Sequence, residues 1–165
     1  MSDLFKIGDV VIYGVQGICK IYSCETKQIG RQSADYYVLT PLFNESTAVF
    51  VPVENKLLTA KMQNVLTKAQ VDELVEKIPQ IDVIKANDEN QKRELYKSIL
   101  SGGDRERLIS LIKTIRLERD ARRQSNKKLN INDEQTLRKA ELLIYNELGF
   151  VLGCEPDEVK NIIKF

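Results

Sequence analysis

The chain has 165 residues, 42% of them hydrophobic and 30% charged, enough apolar material for one ordinary core or two small ones, which excludes wholesale disorder. Histidine is absent, which removes Ser-His-Asp and Cys-His nucleophile systems and imidazole zinc sites; no P-loop or G-x-G-x-x-G turn occurs either. The net charge of +1 conceals strong segregation: residues 1–60 sum to −1, 61–89 to −2, 90–139 to +7 and 140–165 to −3, so a polyanion would be steered to one region.

The start, MSDLFKIGD, lacks the apolar stretch of a secretory signal. No apolar run approaches the roughly 18 residues of a membrane span. A cytoplasmic protein without membrane contact is expected. The three cysteines, Cys19, Cys24 and Cys154, form no C-x-x-C. An odd number in such a chain argues against a disulfide framework. They are expected to be small buried thiols, with Cys19 and Cys24 on opposite faces of a strand.

Up to about residue 62 the pattern is β. Val10–Tyr13, Ile18–Cys24, Tyr36–Thr40 and Thr47–Val53 are rich in β-branched and aromatic residues, and Gly8, Gly14, Gly17, Gly30 and Asn44 punctuate them. Short strands so spaced predict a small antiparallel barrel of the SH3 or Tudor type. In the last of them Val49, Val51 and Val53 share one face, predicted to be core, and Ala48 and Phe50 share the other. Pro52 cannot donate to a ladder, which favours an edge strand. An edge left apolar at its centre suits strand addition by a partner protein; equally, Phe50 packs under the linker or the helical part.

Residues 63–165 are expected to form a compact all-α domain, making the chain α+β. Thr67 with Gln70 is a capping box ahead of Val71, Leu74, Val75 and Ile78, and Pro79 closes that helix. Asp72 and Glu76 lie on its solvated face, where a carboxylate pair is surface charge. Asp88 to about Leu100 forms the next helix, stopped by Gly102-Gly103. Asp104 caps a long helix running toward Gln124. Asn132 with Gln135 opens another, carrying Leu137, Ala140, Ile144 and Leu148, with Gly149 as its end. A last turn starts near Pro156.

The helix after Asp104 carries an apolar stripe of Leu108, Leu111, Ile112 and Ile115 that continues as Arg119 and Arg122. Arg105, Arg116 and Arg123 gather in a sector beside it, joined by Lys127 if the helix persists that far. Guanidinium forks suit phosphate oxygens. With the regional excess of positive charge they point to nucleic-acid backbone contact, against the alternative of a solvated face paired with Glu118 and Asp120.

The segments FKIGDVVIYGVQGICKI, YYVLTPL, VFVPVEN, LSGGDRERLISLIKTIRLERD and LRKAELLIYNEL resemble, in order and over nearly the whole length, the CarD/CdnL family of bacterial transcription regulators. The N-terminal set alone is shared with the polymerase-binding module of transcription-repair coupling factors. The resemblance implies a monomeric non-enzyme without cofactor or small-molecule substrate. Its barrel would pair an edge strand with the RNA polymerase β subunit, through Lys27, Val49, Phe50, Val51 and Pro52. Its helical domain would contact promoter DNA through Lys92, Arg93, Arg116, Arg119, Arg122 and Arg123, and so stabilise the open complex. The chain departs from the family at Glu89, which aligns with a tryptophan wedge, and it has no Trp at all. Phe50 is apolar where some relatives carry a basic residue. A second reading is therefore a polymerase-binding module or antagonist with little DNA action. A third, an RNA-binding barrel, is disfavoured by the −1 balance of residues 1–60.

Overall fold

The computed structural model describes residues 5–164. It divides into two compact units, Met1–Val65 and Leu66–Phe165. The first is an antiparallel sheet and the second a set of packed helices, an α+β arrangement.

The sheet has five strands: β1 (Val10–Tyr13), β2 (Ile18–Ile29), β3 (Gln32–Pro41), β4 (Val49–Pro52) and β5 (Met62–Asn64), in the order β4-β3-β2-β1-β5. Its core face collects Val11, Cys19, Ile21, Tyr37, Leu39, Val51 and Met62, with Val49 and Val53 packed at its margin. These are the alternate residues of each strand, as the period of two requires. A register shift between Ile21 and Ser23 interrupts the β2–β3 ladder, the kind of irregularity that bends a strand and increases its twist.

β2 and β3 are longer than expected. Their ladder runs to Ile29–Gln32, closed by a two-residue turn in which Gly30 has φ +64°, a conformation glycine adopts without steric cost. Beyond the core this hairpin is exposed on both faces, which is why its residues do not alternate. Cys24 lies there and is exposed, so the expectation of three buried thiols fails at this residue; Cys19 is buried and Cys154 half-buried. β4 is shorter than the Thr47–Val53 expected. Two elements were not anticipated: helix α1 (Lys56–Thr59), capped by Asn55, and β5, which pairs with β1.

In the helical unit α2 (Lys68–Lys77) starts with the full Thr67–Gln70 capping box. Pro79 does not stop it at once: a 3-10 turn, Ile78–Gln80, follows. α3 (Glu89–Gly102) is capped by Asp88 and ended by Gly103 in the left-handed region. α4 (Arg105–Gln124) is capped by Asp104. It ends because Asn126 turns left-handed at φ 56° and Lys127 donates its N–H back to the Arg122 carbonyl, a Schellman closure. Lys127 is therefore off the helix. α5 (Ile131–Leu152) starts two residues earlier than expected, with Asn130 and not Asn132 as its cap, and ends at Gly153, not Gly149. Gly149 is buried inside α5, where a Cβ would sit 2.8 Å from the carbonyl oxygen of Cys154. Its role is close approach of the chain that leads into α6 (Pro156–Ile162).

The helical core is built from Val71 and Leu74 of α2, Tyr96 and Ile99 of α3, Leu108, Leu111, Ile112 and Ile115 of α4, Leu137, Ala140, Ile144 and Leu148 of α5, and Val159 of α6. The predicted stripe of α4 is thus the buried one, with Ile109 added. Among the described residues no helix is long and apolar enough to cross a membrane.

Candidate functional site

In the sheet unit the candidate surface is β4, which stands at one end of the strand order. Its ladder with β3 pairs Tyr36 with Pro52, Tyr37 with Val51, Val38 with Phe50 and Leu39 with Val49. Val53 donates to the Asp35 carbonyl at 2.9 Å, which fixes the alternation: Val53, Val51 and Val49 turn their backbone groups toward β3. Phe50 and Pro52 then turn theirs toward the open edge. Within β4 that edge presents the N–H and carbonyl of Phe50, while the Pro52 carbonyl already accepts from the Asn55 N–H at 3.2 Å. Pro52 has no N–H to offer, so a strand added here is registered on Phe50.

Side chains sharpen this. Val51 is fully enclosed, so its side chain holds β4 on the core and does not meet a partner. Val49 and Pro52 are half-buried. Phe50 is 40% exposed on the outer face, above Val38. Its ring meets Tyr36 edge-on at 6.5 Å between centroids, and the Lys27 ammonium lies 3.5 Å from its centre. β2, β3 and β4 thus build one small outer patch, an aromatic pair with a cation beside an edge that pairs with no further strand among the described residues. Lys27 and Phe50, singled out from the sequence, are brought together; Tyr36 was missed. Only the register of β3 on β4 reveals it.

The expected basic residues fall into separate groups, Lys92 and Arg93 lining one hollow and Arg119 and Arg123 another, and several are engaged internally. Lys92 donates to the buried Asp133 carboxylate at 2.7 Å and lies 3.8 Å from Glu89. Burial alone would lower the Lys92 pKa, but the hydrogen bond and charge of Asp133, with Tyr96 and Glu89 beyond, outweigh it and raise it. Arg116 donates to Glu141 and to the Tyr145 hydroxyl, both at 2.8 Å. Burial again opposes the charge, and these partners raise its pKa on balance. Arg105 grips Glu147 with two hydrogen bonds, of 2.8 Å from Nε and 2.7 Å from Nη2. Glu147 also accepts from the Leu66 N–H. Lys113 donates to the carbonyls of Ile78 and Ile81 and so pins the end of α2.

The remainder lies closer to solvent. Arg93 is exposed, with no ion pair among the described residues. Arg122 pairs with Glu118 at 2.9 Å, and Arg119 and Arg123 approach Asp120 at 3.8 and 4.0 Å. The pairing with Glu118 and Asp120 weighed from the sequence is therefore present, yet in exposed pairs that contribute little and yield readily to a stronger anion. Glu89 is the first residue of α3 and is exposed.

Residues 5–66 match the family model described as the CarD-like/TRCF RID domain, a stretch that contains β1 through β5. No curated protein was found to match the chain. The matched family is one of RNA polymerase interaction, by an interaction domain and not a catalytic one. Residues 5–66, which hold the sheet with its β4 edge, are thus similar to the CarD-like/TRCF RID domain family.

Proposed function

We propose that this protein is a transcription regulator that acts by binding, in which β4 adds a strand to the RNA polymerase β subunit and the helical unit rests on promoter DNA backbone. The observation that carries this reading is the coincidence of the family match with a strand edge centred on Phe50 that pairs with no further strand among the described residues. Main-chain hydrogen bonds from such an edge supply affinity, and the Lys27, Val49, Phe50 and Pro52 surroundings supply selectivity. Phosphate contact falls to Arg93, Arg119, Arg122 and Arg123. Lys92 and Arg116, expected in the same set, contribute through their positions beside Asp133 and Glu141. Binding one state of the polymerase–promoter complex more tightly than another is sufficient to stabilise the open complex, with no chemistry. Retention of the protein on core polymerase, with loss on Phe50→Asp, tests the first contact; open-complex lifetime with and without Arg119→Glu/Arg122→Glu tests the second.

A second reading has its own support. The ion pairs of Lys92, Arg116 and Arg122, and a carboxylate at position 89, favour a polymerase-binding module or antagonist that makes little use of DNA. The two differ in salt response, because each neutralised phosphate adds about 0.9 to the slope of log affinity against log salt. A flat response favours the module.

A further inference from the structure

The Glu147 carboxylate, buried on α5, accepts from two different places in the chain. Arg105, the first residue of α4, donates to it at 2.8 and 2.7 Å, and the backbone N–H of Leu66 donates to its Oε2 at 3.0 Å. A buried ion pair is a poor source of stability, because an apolar pair of the same volume often does as well. What an apolar pair cannot offer is an acceptor for a main-chain N–H, and an N–H withdrawn from water without one is costly. Leu66 is where the chain enters the helical unit. Its side chain packs on the helical core, and the next residue, Thr67, is committed to the capping box of α2. On the other side of the joint Asn64 closes β5 and pairs with Val11 of β1. Val65 is thus the single residue between the last strand residue of the sheet unit and the first anchored residue of the helical unit. Where that joint ends is decided 81 residues away in sequence, by a carboxylate that Arg105 holds in place.

We propose that Glu147 is a latch on this joint: braced by Arg105, it holds Leu66, keeps the free stretch to one residue and so couples the two binding surfaces. Both side chains are largely buried, so they are positioning residues that act through Leu66 and not by touching a partner. The inference rests on the reading that the sheet unit binds polymerase and the helical unit binds promoter DNA. Two surfaces on one tether engage a joint target with an effective concentration that falls roughly as the −3/2 power of tether length. Freeing Leu66 lengthens the free stretch from one residue to two. Joint engagement then weakens about threefold, while each surface alone binds as before.

The test compares the full parent chain with two variants. Arg105→Met/Glu147→Leu keeps volume and removes the acceptor; two glycines inserted between Val65 and Leu66 lengthen the joint and leave the pair intact. Amide exchange followed by NMR reads the latch with no partner present. The Leu66 N–H is expected to exchange about tenfold faster or more in the double variant, while amides in the middle of α4 and α5 stay protected. Affinities for an isolated β-subunit lobe and for a promoter duplex are expected to match the parent in both variants. Affinity for the polymerase–promoter complex is expected to fall about threefold in the double variant and about fivefold with the insertion. Unchanged exchange at Leu66, or exchange that rises equally throughout the helical unit, overturns the latch. Fast exchange at Leu66 with undiminished affinity for the polymerase–promoter complex, in a chain whose two separate contacts are intact, overturns the coupling. A parent that binds neither lobe nor duplex removes the functional reading and the coupling with it, and exchange at Leu66 still decides whether Glu147 holds the joint.

Discussion

The ammonium of Lys27 lies 3.5 Å from the centre of the Phe50 ring, joining the long β2–β3 hairpin to the edge strand β4. Both groups reach solvent, so the contact contributes only about 0.5–1 kcal/mol to the sheet unit. Its larger consequence is that Phe50 is held upright on an otherwise open edge. Lys27→Ala is expected to lower stability by no more than that amount in chemical denaturation, while lowering affinity for core polymerase several-fold. A loss of several kcal/mol would show that the pair supports the fold and not the surface.

Glu147 lies almost wholly inside the helical unit, 3% exposed, under the two-pronged grip of Arg105. Removing one member strands a buried charge, so Glu147→Ala is expected to destabilise this unit by about 3–5 kcal/mol. Arg105→Met/Glu147→Leu, which removes both charges and keeps volume, is expected to recover most of that loss. Denaturant unfolding followed by helical circular dichroism distinguishes the two. Equal losses in the single and double variants would contradict the role assigned to this pair.

Gly149 sits in mid-helix, where alanine would ordinarily be favoured by about 1 kcal/mol. Here the added methyl meets the Cys154 carbonyl at 2.8 Å, and backbone cannot step aside cheaply. Gly149→Ala is therefore expected to destabilise by about 1–3 kcal/mol. A stabilised variant would mean that the α5–α6 connection gives way easily.

Burial pushes the Cys19 thiol from 9.0 up to about 12. A raised folded-state pKa means that the stabilisation is complete below pH 9 and is lost as pH climbs toward 12. In native protein at neutral pH an aromatic disulfide reagent should modify exposed Cys24 quickly, Cys154 more slowly and Cys19 only on unfolding. Stability of the sheet unit should decline above pH 9 less steeply in Cys19→Ala than in the parent. Three thiols reacting at one rate would contradict the placement of Cys19.

Local signals carried much of the fold. The Thr67–Gln70 box, the cap at Asp104 and the alternation of Val49, Val51 and Val53 each depend on neighbours in sequence, and each is where it was expected. What escaped depends on pairing at a distance. β5 is three residues without a β-branched side chain and exists because β1 receives it. The outer halves of β2 and β3, Thr26 to Ser33, are polar apart from exposed Ile29 and are ordered by each other. The basic sector of α4 was legible as a helical face, but the acids that claim Arg105 and Arg116 lie on α5, more than 20 residues away. Periodicity cannot see them. Glycine commonly ends helices, so Gly149 reads from sequence as a helix end, whereas a close backbone approach leaves no local trace.

The central claim is that β4 is the polymerase-binding edge, and affinity for an isolated β-subunit lobe tests it most directly. Titration calorimetry of the full chain, the Phe50→Asp variant and a Val15→Asp control, whose site is exposed outside β4, measures that contact without DNA. Tight binding by the parent and the control, with at least a tenfold loss for Phe50→Asp, is the expected result. Equal affinity for all three, or no binding by the parent, would contradict it.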